Sequence, residues 1–218
     1  MEDVLDLYAE VASAPPDPLR PLVCFDERPV VLHEDAHPGQ ACAPGQRARE
    51  DYEYVRRGTC VCLLSFAPAE GWRHVEVSEH RAAGDFAHAM RRLCDEVYPQ
   101  AHCIRVVLDN LSTHSAAALY QTFAPAEARR LARKLEFHFT PKHASWLNMV
   151  EIEIGVLHTQ CLDRRIPDRQ RLETEIAAWE QQRNDAGAHI QWMFTTDKAR
   201  SKMAHAYPEP GTAPRSTA

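Results

Sequence analysis

The sequence predicts an α/β fold, a mixed sheet of about five strands with helices on both faces. Three observations lead there. Apolar runs at residues 21–28, 59–66 and 72–77 succeed one another without a helical pattern between them, as in a strand meander. Helical spacing and apolar runs then alternate between Asp85 and Thr140, as crossover units do. Beyond Ser145 only helical patterns remain.

Taken in order, the chain opens on a short amphipathic pattern (Val4, Leu5, Leu7, Tyr8, Val11) that breaks at Ala14-Pro15-Pro16-Asp17-Pro18. Residues 1–20 therefore read as a helix and linker, ahead of a main domain spanning 21–207. The first strand, Leu22-Val23-Cys24-Phe25, runs into Asp26-Glu27-Arg28, and Val30-Val31-Leu32 extends or bends it after Pro29. From His33 to about Tyr54 the chain is polar, rich in Gly, Pro and Arg, and without a period. A loop of that length inside a compact domain is usually functional or mobile.

Strands at Thr59–Phe66 and Trp72–Val77 are joined by only Ala67-Pro68-Ala69-Glu70-Gly71, which favours an antiparallel hairpin. Phe86, Ala89, Met90, Leu93, Cys94 and Val97 have helical spacing, and Ile104 to Leu108 is the next strand. Strand, helix, strand implies a crossover and a parallel pairing. Helical patterns follow at Ser115–Phe123 and Pro125–Leu135, then a short strand at Leu135–Thr140 stopped by Pro141. The last helices are expected over 145–162, 168–184 and 195–206, and a disordered Pro-, Gly- and Thr-rich tail over 208–218.

The composition is that of a globular protein, with 44% hydrophobic and 26% charged residues. No apolar stretch is long enough to span a membrane, and the acids of Met1-Glu2-Asp3-Val4-Leu5-Asp6 stand where a signal peptide needs basic residues. A cytoplasmic protein is expected. Seven cysteines, with no Cys-x-x-Cys pair and mostly inside apolar runs, read as buried free thiols. A net charge of -6 argues against a protein whose main task is coating nucleic acid, but not against an acidic nuclease core.

The most informative stretch is Val106-Val107-Leu108-Asp109-Asn110, where a β-branched run delivers a carboxylate to the end of a strand. The apolar run Leu22-Val23-Cys24-Phe25 leads into Asp26 within the first strand in a similar way. A third acid lies in the helix after Trp146-Leu147-Asn148, where Glu151 and Glu153 compete. The two point roughly 200° apart on a helical wheel, on opposite flanks of the Leu147, Val150, Ile154, Leu157 stripe, so the wheel does not choose. Carboxylates from separate elements suit hard divalent cations, which take oxygen ligands and keep room for substrate phosphate.

The strings FDER, VLDNLSTH and FTPKHASWLNMVEIEIGVLHTQCLDRRIPD resemble the catalytic domain of bacterial insertion-sequence transposases of the mariner-related DDE superfamily, from about Pro21 to Tyr207. The resemblance implies a ribonuclease H-like fold and an Asp26, Asp109, Glu151 triad holding two Mg²⁺ (or Mn²⁺) ions. Its activity would be DNA strand cleavage followed by strand transfer, and its partner double-stranded DNA at element ends and target, bound as a homodimer. Family members carry an N-terminal helix-turn-helix that reads the element ends, and this chain has nothing comparable before Pro21. A separately encoded helix-turn-helix half is therefore an expected partner. Competing readings are an inactive or regulatory remnant and a nuclease of the same fold without strand transfer.

Supporting roles fall to Asn110, which could orient Asp109 or touch substrate, and to His114, which could contact a DNA phosphate or organise its loop. His143 and Asn148 stand around the start of the Glu151 helix. Arg129 and Arg130 are candidates for tracking a DNA backbone. Arg47, Arg56 and Arg57, in and just after the long loop, are better placed if that loop closes over DNA. The histidines share no zinc-ligand spacing with the cysteines.

Overall fold

The computed structural model describes residues 1–37, 39–47, 49, 51–204 and 207; the tail expected at 208–218 lies outside the described residues. Its strands are β1 (Leu22–Asp35), β2 (Tyr54–Ala67), β3 (Trp72–Ser78), β4 (Ile104–Leu108) and β5 (Leu135–Phe139), forming one sheet in the order β3-β2-β1-β4-β5. The first three pair antiparallel, whereas β1 with β4 and β4 with β5 pair parallel. The crossover after β3 thus delivers a strand of the expected direction, but next to β1. Because β2 lies between β3 and β1, the open edge of β1 is where a strand buried on both faces can be added.

Strand alternation sorts the core into two layers. Leu22 and Cys24 face α5 (Val150–Leu157) and α6 (Arg169–Asp185), packing with Ile154, Leu157, Leu172 and Trp179. Val23 and Phe25 face α2 (Ala83–Arg92), α3 (Ala116–Thr122) and α4 (Pro125–Lys134), packing with Phe86, Met90, Leu119 and Leu131. The helix α1 (Glu2–Ser13) is held in the first layer by Val4, Leu7 and Tyr8. The short helix α7 (Thr196–Lys202) is far from α1 along the chain, yet Ala199 of α7 clusters with Leu5 and Leu147. Five of the seven cysteines are buried, while Cys42 is exposed and Cys103 half-buried.

Two departures from the expected elements matter for function. The ribbon of β1 and β2 stays paired out to Asp35 and Tyr54, although β4 supports only residues 22–24 of β1 and β3 only residues 61–67 of β2. The outer half is a two-stranded arm, and such a ribbon is marginal alone. It is strapped by Ile166, whose carbonyl accepts from His33 N at 2.9 Å, and by Arg165, which reaches Asp35 and the Glu53 carbonyl. The helix expected over 145–162 is broken into a 3-10 turn at Ser145–Leu147, α5, and a π-helical turn at His158–Leu162. Asn148 breaks it: its backbone is extended at ψ 114, and its buried side chain donates to the Phe25 carbonyl at 2.8 Å.

The edge strand β3 is closed by α6 side chains. Asn184 accepts from Arg73 N and donates to Arg73 O, both at 2.9 Å; Glu180 accepts from Val75 N at 2.8 Å; Arg169 donates to Val77 O at 2.8 Å. Alternate residues of the edge thereby find the partners a further strand would supply, which blunts edge-to-edge association.

Candidate active site

Asp26 and Asp109 come together because β1 and β4 are neighbours. Cys24 pairs with Val107, and two further residues along each strand bring Asp26 level with Asp109. Asp26 shares the parity of Cys24 and so faces the α5 layer, 8% exposed. Glu151 sits in the first turn of α5. The entry to that turn is fixed by Asn148 on the Phe25 carbonyl and by Tyr8, whose hydroxyl donates to Leu147 O at 2.9 Å and accepts from Met149 N at 3.1 Å. A residue of α1 thus sets where the Glu151 helix begins.

The three carboxylates interact electrostatically. Burial pushes the Asp26 carboxyl up to about 7, and the charges of Asp109 and Glu151 add to this against the Glu27 N–H, which donates to Asp26 Oδ1 at 2.7 Å. Asp109 takes two bonds on its own Oδ1, from Leu111 N at 3.2 Å and from His114 Nδ1 at 2.6 Å. His114 is buried, so of its two expected roles only organising the loop is compatible with its position. Burial alone would depress its pKa, but the Glu27 and Asp109 carboxylates outweigh that and hold it above the ordinary imidazole value.

The choice between Glu151 and Glu153, open on the helical wheel, acquires a physical basis. Glu153 is fully buried, clasped by Arg183 (2.7 and 3.1 Å) and by Arg73, itself fully buried, at 3.3 Å. Its charge is committed to tying α5 to β3 and α6. Glu151 is part-exposed, and its charge acts on Asp26.

A family model described as DDE superfamily endonuclease matches residues 21–173. The chain belongs to the DDE superfamily endonucleases. Among solved structures, this endonuclease is similar to the Mos1 mariner paired-end complex with Mn, at TM-score 0.54 and 13% identity over 85% of this chain and 56% of that one. It is also similar to the Mos1 strand transfer complex, at TM-score 0.51 and 14% identity over 85% of this chain and 55% of that one. The chain therefore spans little more than half the length of these relatives, and the likeness is one of fold, the ribonuclease H-like one expected. No curated protein sequence matches it significantly.

Membership implies a divalent metal, and the donor set of this endonuclease fits one. Three carboxylates supply hard oxygen ligands, and a cation among them would relieve the repulsion that burdens buried Asp26. Among the described residues, the three do not form a set with every ligand atom within 4.8 Å of the others; only the grouping of exposed His37 and Glu53 with half-buried Asp51 does.

The remaining expected site residues are dispersed. Asn110 is exposed beside Asp109, and no hydrogen bond joins the two among the described residues. His143 is exposed, with a positive φ of 64, in the turn before α5. Arg129 and Arg130 lie on α4, across the sheet from the acids, and Arg130 is already forked onto Asp95 and Glu127. Arg56 pairs across the arm with His33, roughly 20 Å beyond Asp26 at a strand's rise per residue. Arg47, Arg56 and Arg57 are exposed, Arg57 being paired to Glu34. Sequence reasoning missed Tyr8 and the buried carboxylate of Glu27. A Glu next to Asp26 in an apolar strand must face the opposite layer, and that alternation was the available signal.

Described helices are too short or too polar to cross a membrane.

Proposed function

We propose that this chain is the catalytic domain of an insertion-sequence transposase, cutting and joining double-stranded DNA. What supports the reading is that Asp26 and Asp109 stand level on the neighbouring strands β1 and β4 and that the charges of Asp109 and of Glu151 on α5 both act on Asp26, in a metal-requiring family. Two Mg²⁺ or Mn²⁺ ions would be held by these three side chains. The chemistry such ions would supply there is activation of an attacking oxygen and stabilisation of a leaving one in an in-line displacement at phosphorus. Asp26, within β1 just past its pairing with β4, and Asp109, just after the end of β4, fix the site to the sheet, while Glu151 closes it from the helix. Asn110 and His143 stand exposed at the rim, where the sugar-phosphate backbone contacts them.

The arm extends from β1 beyond Asp26, so a duplex in the site runs beside it. Arg47, Arg56 and Arg57 then neutralise phosphates within about one helical turn of the scissile bond. Arg129 contributes from the far layer only if the DNA wraps the sheet edge. A second copy of the chain and a separately encoded helix-turn-helix protein complete the assembly. The Mos1 relatives, described as paired-end and strand-transfer complexes, support this reading.

The test is cleavage and joining of a duplex carrying the element end in Mg²⁺ or Mn²⁺, with and without the helix-turn-helix partner. Wild type should cut and join, and Asp109→Asn and Glu151→Gln should do neither. Cleavage without joining would identify a plain nuclease, inactivity with every partner a remnant, and activity surviving both substitutions would dismiss the site.

A further inference from the structure

Glu27 has no role in the proposed site, yet it touches Asp26 directly and reaches Asp109 through His114. Its side chain is 2% exposed in the layer opposite Asp26, where an ionised carboxylate is costly without partners. Two partners meet it there. Arg81 Nε lies 2.8 Å from Oε2, and His114 Nε2 lies 3.2 Å from Oε1, off the N–H axis and so an ion pair rather than a full hydrogen bond. The imidazole is locked between Phe25 and Phe86, with ring centroids 5.5 and 5.0 Å away. Its other nitrogen donates to Asp109 Oδ1 at 2.6 Å. Meanwhile the Glu27 backbone N–H donates to Asp26 Oδ1 at 2.7 Å.

We propose that Glu27, backed by Arg81, is a positioning residue for the metal site: its amide sets the Asp26 carboxylate and its side chain sets the Asp109 carboxylate through His114. This rests on the reading of Asp26 and Asp109 as metal ligands. On both acids the network engages Oδ1, and no hydrogen bond among the described residues reaches either Oδ2. One oxygen of each acid is thereby consumed in fixing its rotamer, and the other is left for a cation. Ligands oriented in advance lose less rotamer freedom on binding, which is the general effect of outer partners in metal sites. A Glu27 that merely neutralised buried His114 would influence stability and leave metal affinity alone.

The experiment is Mn²⁺ titration calorimetry on the full chain without DNA, with thermal denaturation in EDTA alongside, for wild type, Glu27→Gln, Arg81→Met and Asp109→Asn. Glu27→Gln should weaken Mn²⁺ binding by about 10–100-fold, the range for outer-partner losses. Arg81→Met should weaken it less, by a few-fold, because the His114 contact remains. Asp109→Asn should abolish the binding. A Glu27→Gln affinity within twofold of wild type, with Asp109→Asn unable to bind, would overturn the positioning role and leave the metal site standing. Equal binding by Asp109→Asn and wild type would instead overturn the metal site itself. Should Glu27→Gln fail to fold, Arg81→Met decides: its side chain is 43% exposed and dispensable for the core, and wild-type Mn²⁺ affinity in that variant would overturn the proposal.

Discussion

Exchanging the two α5 glutamates for glutamine should produce opposite phenotypes. Glu153→Gln keeps the shape of the side chain but removes the only carboxylate among three side chains packed together, leaving the Arg73 and Arg183 guanidiniums facing an uncharged amide. Burial already presses the Arg73 pKa below its ordinary value, and Glu153 is what opposes that pressure. Breaking a buried pair by removing one partner costs about 3–5 kcal/mol. At roughly 2–4 °C per kcal/mol for a chain of this size, Tm should fall by roughly 6–20 °C. Glu151→Gln removes a like charge from beside Asp26 and breaks no ion pair among the described residues, so its Tm in EDTA should equal or exceed that of wild type. Thermal denaturation followed by circular dichroism, paired with a DNA cleavage assay at a temperature where both variants are folded, separates the cases. A Glu153→Gln protein with wild-type Tm and no cleavage, beside an active Glu151→Gln protein, would show that the roles had been assigned the wrong way round.

Four further outcomes follow from the same structure. Tyr8→Phe leaves Leu147 O and Met149 N without their partner and should cost about 1–3 kcal/mol in urea denaturation, with reduced cleavage because the start of α5 loosens. In metal-free buffer, the raised Asp26 pKa favours the folded state fully below the unfolded value near 4, and this contribution is lost as pH rises through about 7. Asp26→Asn should therefore gain on wild type by up to about 4 kcal/mol between pH 4 and pH 8, and parallel stability profiles would contradict the shift. Asn184→Ala uncovers two backbone groups of the β3 edge and should raise concentration-dependent light scattering while lowering stability by about 2 kcal/mol. Reversing Arg56 and Arg57 to Glu should lower DNA affinity and flatten its dependence on log salt by roughly 2, whereas an unchanged slope would remove the arm from the DNA path.

Much of this architecture was legible in local pattern. The β-branched run ahead of Asp109 and the five-residue connector between β2 and β3 each declared an element and its end, and the apolar run ahead of Asp26 declared the start of β1. Pro125 opens α4 and Asp168 caps α6, accepting from Arg171 N at 2.8 Å, as their residue types suggest. The misreadings came where a distant contact overruled a local preference. Residues 145–162 have continuous helical spacing, but Asn148 gains more from the Phe25 carbonyl than from continuing a helix. The polar stretch after Leu32 carries no strand signal, yet cross-strand pairing with β2 extends β1 to Asp35.

By itself the sequence determined which apolar runs lead into acids, that the sheet is mixed, and, through its motifs, the family. Those properties are written in neighbouring residues, whose periodicity and turn chemistry act over a few positions. Only the tertiary structure decided that β4 lies against β1, that Glu153 is consumed by two arginines while Glu151 remains at the acid cluster, and that Glu27 meets His114 behind the sheet. Each depends on residues far apart in the chain and on the free energy of burying charge, which is set by what packs around a carboxylate and not by its neighbours in sequence.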